Sequence, residues 1–233
     1  NIEYHHCENF SCNSASCESE GVTNSDNWTF TDNRDPDNIR RYGLVTGYNT
    51  LAVYDITNLD NVYELDNSIN RITHPGSIWG DVKVYNEMNN YNYYNTPHDP
   101  SSGVNTDAKF TQFTLTTSPK LYCYVSNENS SQSSGVQIID LTNINNDSLP
   151  GYSSDEYPAK VKLVGTITGN VNITSIHNLH VDEHSGFLYT CGGGTNSGSL
   201  VAYDLNPSLT HGPDNPLYVG RSSGPYVHDV HVV

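Results

Sequence analysis

The chain of 233 residues sets 10 Lys+Arg against 26 Asp+Glu, a formal net charge of −16, a sign that repels phosphate and excludes a nucleic-acid clamp. Hydrophobic residues are only 35%, but 17 tyrosines within a 10% aromatic share supply enough apolar area for a core, so disorder throughout is excluded as well. No stretch approaches the ~18–20 uninterrupted apolar residues of a membrane span, and Asn1 does not open a signal peptide, so the chain is expected to be already processed and without a membrane span.

Residues 1–24 form a Cys-containing N-terminal segment. Cys7, Cys12 and Cys17 recur at a regular step beside His5 and His6. Zinc ligation is one reading, although the spacing is wide for a zinc site and no second pair follows. The plainer reading is a disulfide-tied flap from an oxidising compartment, the odd cysteine pairing with Cys123, Cys191 or a residue outside the chain. Asn-x-Ser/Thr sequons at Asn9, Asn27, Asn129, Asn146 and Asn172 fit a secreted glycoprotein, whereas Pro207 disqualifies Asn206. An extracellular or cell-surface location is therefore expected.

From residue 25 to 233, helix signals are almost absent. Short runs rich in Val, Ile, Tyr and Thr alternate with Gly, Asn, Asp, Ser and Pro clusters, the all-β pattern. Strands are expected at Trp28–Thr31, Tyr42–Thr46, Thr50–Ile56 and Val62–Leu65, then at Asp81–Tyr85, Leu121–Ser126, Gly135–Leu141 and Lys160–Gly165. A third set follows at Ile176–Val181, Phe187–Cys191, Ser199–Leu205 and Leu217–Gly220, and Tyr226–Val233 reads as the opening strand of a fourth. The first strand of each set carries one phrase, a polar residue, then Asp or Asn, then alternating apolar positions, anchored at Asp26, Asp81, Asn178 and Asp229. The phrase returns about every 50 residues apart from one doubled interval, and four strands per period is the mark of a propeller blade. Three blades plus one strand make an incomplete ring, to be completed by a protein partner or by a further part of the same polypeptide.

The doubled interval holds an insertion near 87–111. There Tyr91, Tyr93 and Tyr94 interleave with Asn and offer rigid amphipathic contact area, the residue type enriched at interaction surfaces. A low-complexity excursion without a partner is the other reading.

The succession SDNWTF, GLVTGYNTLAVYDITN, WGDVKVY, SGVQIIDLTN, HNLHVDEHSGFLYTCGG and YVHDVHVV resembles the choice-of-anchor B family, whose repeats are of the LVIVD type. The resemblance runs from Asp26 to Val233 and is most specific at His177-Asn178 and at Tyr226 to Asp229. It implies a secreted or surface-attached β-propeller, and it assigns no biochemical activity.

First strands line the channel of a propeller, so Asp26, Asp81, Asn178 and Asp229, with His177 and His228 one residue earlier, would form a ring at its mouth. Asp81, His177, Asn178, His228 and Asp229 are the candidate metal ligands. Oxygen donors suit Ca²⁺, and imidazoles suit a transition metal. The competing reading has each Asp or Asn bonding amides of its own or the next blade, and since every blade repeats the motif, that reading is preferred. Asp55, Asp140 and Asp204, at the ends of third strands, read as turn caps. The loop TDNRDPDN lacks the Gly and Glu of an EF-hand, and Cys191–Ser199 has neither the Lys nor the helix of a phosphate loop. Ser185, beside His184, Glu183 and Asp182, sits in a turn rather than a triad. No catalytic residue is assigned. The expected function is a non-catalytic structural or interaction module; the alternative is a metal-dependent enzyme, or a carbohydrate or small-ligand binder, working through the His/Asp ring.

Overall fold

The computed structural model describes residues 24–47, 50–65, 72–73, 80–90, 119–128, 135–147, 160–168, 175–193 and 198–232. These residues are all-β. The first sheet runs β1 (Asn24–Asp32), β2 (Arg40–Gly47), β3 (Thr50–Asp55) and β4 (Tyr63–Glu64), and β5 (Ile72–Thr73) pairs with the start of β3. The second holds β6 (Val82–Asn86), β7 (Leu121–Ser126), β8 (Val136–Asp140) and β9 (Lys162–Ile167). The third holds β10 (Asn178–Asp182), β11 (Phe187–Cys191), β12 (Val201–Asp204) and β13 (Leu217–Arg221). Within each sheet these four strands pair antiparallel in sequence order. The only helical turn among the described residues is Glu87–Asn89, and none of their helices is long and apolar enough to cross a membrane.

Side chains alternate across a strand, and β7 uses both faces. Leu121, Cys123 and Val125 join Tyr42, Leu44, Val53, Val82, Val84 and Ile139 in the core between the first and second sheets. Tyr122 and Tyr124 turn the other way and join Leu179, Val181, Leu188, Val201 and Tyr203 between the second and third. The middle sheet is thus apolar on both faces. β6 contacts β1 on one side and β10 on the other, so the first strands of successive sheets lie next to one another. The arrangement is propeller-like, and among the described residues its ring is not closed.

The repeat extends to details. Asp55, Asp140 and Asp204 each accept a hydrogen bond from the amide two residues on, at 2.8, 2.7 and 2.8 Å, the expected Asx turn. The third and fourth strands slip register at equivalent places, Ile138/Ile139 and Ala202/Tyr203. One expectation fails. Tyr226–Val232 forms no strand: the segment is held by single bonds, such as Val227 N–H to the Gly198 carbonyl at 2.8 Å, with no strand laddered against it. A strand exists only through its partner's backbone groups, and apolar alternation alone supplies none.

At the end opposite the first strands' starts, the loop after β1 ties two sheets together. Arg34 forks onto Asp32 at 2.8 and 2.7 Å and donates to the carbonyls of Pro119 and Thr142 at 3.0 and 2.9 Å. Both members are buried, with 11% and 1% of their side chains exposed. At the neck of the insertion, Glu87 accepts from the Lys120 N–H at 2.7 Å and returns its own N–H to the Lys120 carbonyl at 3.1 Å.

Arg34→Ala is expected to cost about 3 kcal/mol, because it strands a buried carboxylate and two carbonyls. Asp147→Ala, which removes an exposed partner of Arg40 and Lys160, is expected to cost less than about 1 kcal/mol. Urea unfolding midpoints of the two variants check the contrast.

Candidate functional site

One side-chain bond at the first strands occurs three times, twice between successive sheets and once between the third sheet and the segment Tyr226–Val232. Asp26 Oδ2 accepts from Val82 N–H at 3.1 Å, Asp81 Oδ2 from Leu179 N–H at 2.9 Å, and Asn178 Oδ1 from Val230 N–H at 3.3 Å. In each case the donor is the residue after the next sheet's own Asp or Asn. A second bond accompanies it. The residue near the end of each second strand donates to the carbonyl just before the next Asp or Asn: Thr46 Oγ1 to Gly80 at 2.9 Å, Ser126 Oγ to His177 at 3.4 Å, Cys191 Sγ to His228 at 3.3 Å. Thr46 and Ser126 also accept the amides of Asp26 and Asp81, at 3.0 and 2.8 Å.

Between the first and second sheets the clasp is charged. Lys83 Nζ bridges Asp81 Oδ1 and Asp26 Oδ2 and lies 4.8 Å over the Trp28 ring. Burial, reinforced by the hydrogen bond shared with Asp26, pushes Asp81 up to about 7. Burial works on Asp26 in the same direction, but the Asp81 hydrogen bond, the Lys83 charge and the Val82 amide outweigh it and hold Asp26 low. The two carboxyls are thus pushed in opposite directions, Asp81 up by burial and Asp26 down by its hydrogen bonds and the Lys83 charge.

The residues before Asn178 and Asp229 face each other across the join to the last segment. The rings of His177 and His228 lie 4.2 Å apart between centroids at 60°. His177 Nδ1 is 2.7 Å from Glu128 Oε1, at the end of the second sheet's β7, and His228 Nδ1 is 2.8 Å from Asp229 Oδ2. Gly192 and Gly198, at φ +73° and +67°, bring the backbone against the His177 side chain and the Tyr226 ring, where any Cβ would collide. Further along, His180 and His231 pair at 5.0 Å.

Of the candidate ligands, the structure brings His177, His228 and Asp229 together, with ligand atoms within 4.8 Å of one another, and uses Asp81 and Asn178 as inter-sheet clasps. Tyr91, Tyr93 and Tyr94, Cys7, Cys12 and Cys17, and the sequons at Asn9, Asn129 and Asn172 lie outside the described residues. Asn27 and Asn146 are exposed. The disulfide expectation for Cys123 and Cys191 is corrected: both are free and buried. Cys123 is packed in the first core, and burial, with Asp229 and Asp81 nearby, pushes the Cys191 thiol up to about 12, so neither is a reactive thiolate. The turn at Asp182 binds Ser185 Oγ and the His184 N–H to its own carboxylate, and Glu183 accepts from the Asn86 N–H at 2.8 Å across sheets. Sequence reasoning missed Glu128, Lys83 and the Thr46/Ser126/Cys191 position. The last carries a signal, a small hydrogen-bonding side chain at a fixed place before the hairpin to the third strand.

Comparison of the chain with known protein families, curated proteins and solved structures finds no match.

The Asp81 shift sets a pH dependence. Between the ordinary carboxylate value of 3.8 and about 7, the folded state binds a proton that the unfolded chain releases, so this group's contribution to stability falls as pH rises through that window, by on the order of 4 kcal/mol. Asp26, held low, adds stability above the ordinary carboxylate range that is lost only at more acidic pH. Asp81→Asn keeps an acceptor for Leu179, as Asn178 does for Val230, and is expected to flatten the fall between pH 4 and 7 in denaturation midpoints measured across the range.

Proposed function

We propose that the chain is a non-catalytic β-propeller segment of three blades, followed by the unladdered segment Tyr226–Val232, of the LVIVD-repeat, choice-of-anchor B type. On this reading it is a secreted or surface-displayed glycoprotein and serves as a structural or interaction module of an extracellular assembly. A further blade, from a protein partner or from the same polypeptide, packs on its third sheet.

The observation that carries the reading is an aromatic pair repeated in register. Counting back from Ser126 and Cys191, Tyr124 and Tyr122 correspond to Tyr189 and Phe187. In the second sheet these tyrosines are buried against the third, 0% and 6% exposed. In the third sheet Phe187 and Tyr189 lie 6.3 Å apart and only partly buried, on the face turned away from the core that holds Leu188. A face already used twice to seat the following sheet is thus presented a third time, and Asp229 stands where Asp81 and Asn178 seat the next strand's amide. At the other end, the first sheet presents a cavity of about 400 Å³ lined by Trp28, Val45, Tyr54 and Ile56, the counterpart of the face the second sheet turns toward the first. The exposed sequons at Asn27 and Asn146 favour a glycosylated surface. A reaction centre would need one sheet to differ from the others at the clasp, and the clasp recurs in all of them.

Native protein from its source is expected in the extracellular or surface fraction, to shift in mass on enzymatic deglycosylation, and to elute as an assembly larger than the 25.7 kDa chain. Tyr189→Glu is expected to release the chain from that assembly without changing its β-sheet circular dichroism, because a charge then enters an apolar seat. An intracellular, unglycosylated monomer would sink the reading.

A further inference from the structure

The geometry points to a binding site for a divalent transition metal, of the Zn²⁺ class, formed by His177, His228 and Asp229. Three features carry the assignment beyond the bare convergence of donors.

The donors are oriented. Glu128 Oε1 sits 2.7 Å from His177 Nδ1, which places the ring proton on that nitrogen and leaves the Nε2 lone pair outward, the carboxylate–histidine arrangement that holds imidazoles for metals. His228 Nδ1 and Asp229 Oδ2 lie 2.8 Å apart. Their separation is close to the spacing of roughly 3.3 Å between neighbouring ligands on a tetrahedral zinc. All three ligand atoms fall within 4.8 Å of one another, so the set closes by up to about 1.5 Å on binding, and a water takes the fourth position.

The seat is built. Gly192 and Gly198 hold φ +73° and +67°, and a Cβ at Gly192 would strike the His177 side chain and stand 3.1 Å from the Tyr226 hydroxyl. His177 N–H to the Cys191 carbonyl at 3.1 Å and Val227 N–H to the Gly198 carbonyl at 2.8 Å fix the two backbones on either side.

The donor set is selective. Two imidazoles and one carboxylate favour zinc and its neighbours over Ca²⁺ and Mg²⁺, which take all-oxygen shells. The ion ties the segment Tyr226–Val232, which lacks a strand ladder, to the third sheet and through Glu128 to the second.

Isothermal titration of the full chain with Zn²⁺, and absorption spectra with Co²⁺, test this. His5, His6, Cys7, Cys12 and Cys17 offer a second zinc-binding segment, so the readout is the difference between variants. The His177→Ala/His228→Ala double variant is expected to bind one Zn²⁺ fewer than wild type and to lose the visible Co²⁺ bands of this site. Glu128→Gln is expected to weaken Zn²⁺ at the site about 10–100-fold, and Ca²⁺ is expected not to compete. Asp229→Asn, which copies the residue at position 178 and leaves the Val230 N–H on Asn178, replaces a carboxylate ligand by an uncharged amide and is expected to weaken Zn²⁺ as well. An unchanged zinc stoichiometry in the double variant and an unchanged affinity in Asp229→Asn, or no zinc uptake by wild type, would overturn the assignment.

Discussion

A carboxylate or amide oxygen at the start of each first strand accepts the backbone N–H of the next sheet's first strand, and the register of the whole molecule hangs on that bond. The sheets meet face to face through apolar side chains, and apolar burial is strong but non-directional. Tyr42, Leu44, Tyr122 and Tyr124 would be buried almost as well if one sheet slid along its neighbour. The hydrogen bonds from Val82, Leu179 and Val230 to Asp26, Asp81 and Asn178 permit one position only. They also answer a second demand, since the first strand of a blade has a ladder on one side only and its other N–H groups need acceptors where they are covered. The Thr46, Ser126 and Cys191 bonds to the carbonyls just before satisfy the complementary acceptors, so donor and acceptor of the same stretch are held by adjacent side chains.

Using an acid for this task has an electrostatic consequence that an amide avoids. Asp81 is buried beside Asp26, and two carboxylates at one join repel, so Lys83 bridges them while burial holds Asp81 above the ordinary carboxylate value. At the join to the last segment Asn178 accepts the same kind of bond with no charge to neutralise, and the third sheet has His180 where the second has Lys83. A cation therefore stands where the two acids meet and is replaced where the acid is replaced. At the far end of the sheets, Arg34 does the comparable work by another route, making four guanidinium hydrogen bonds, two to the buried Asp32 carboxylate and two to carbonyls of the neighbouring sheet's loops.

Most of the strand framework was legible in the sequence because alternation of apolar residues is a local property: apart from β1, which starts at Asn24 rather than at Trp28, the strands of the three sets lie within a residue or two of their expected places. The turn caps at Asp55, Asp140 and Asp204 were legible for the same reason: the side chain and the amide it accepts are two residues apart. The preference for Asp81 and Asn178 as amide acceptors could be argued from repetition, but not their partners, which lie about a hundred and about fifty residues away. Glu128 could not be found at all, since its relation to His177 exists only once two sheets are packed. The segment at Tyr226 shows the limit from the other side. Its alternation is as good as that of β6 or β10, yet strand character belongs to a pair, and the pattern of one segment says nothing about whether a second lies beside it.

The repeat also determines where chemistry has room to appear. At the clasp residue the side chain is committed, and at the residue after it the amide is committed. One residue earlier only the carbonyl is used: Gly80, His177 and His228 each contribute that oxygen to the preceding sheet and nothing else that the clasp requires. Side chains there are free to differ from sheet to sheet, and they do, a glycine at one join and histidines at the next two. Neighbouring clasps bring those positions side by side, so two histidines placed one repeat apart in sequence become ring neighbours 4.2 Å apart in space. A frame that must be identical in every sheet thus leaves one variable position per sheet, and the geometry of the frame gathers those positions at a single place.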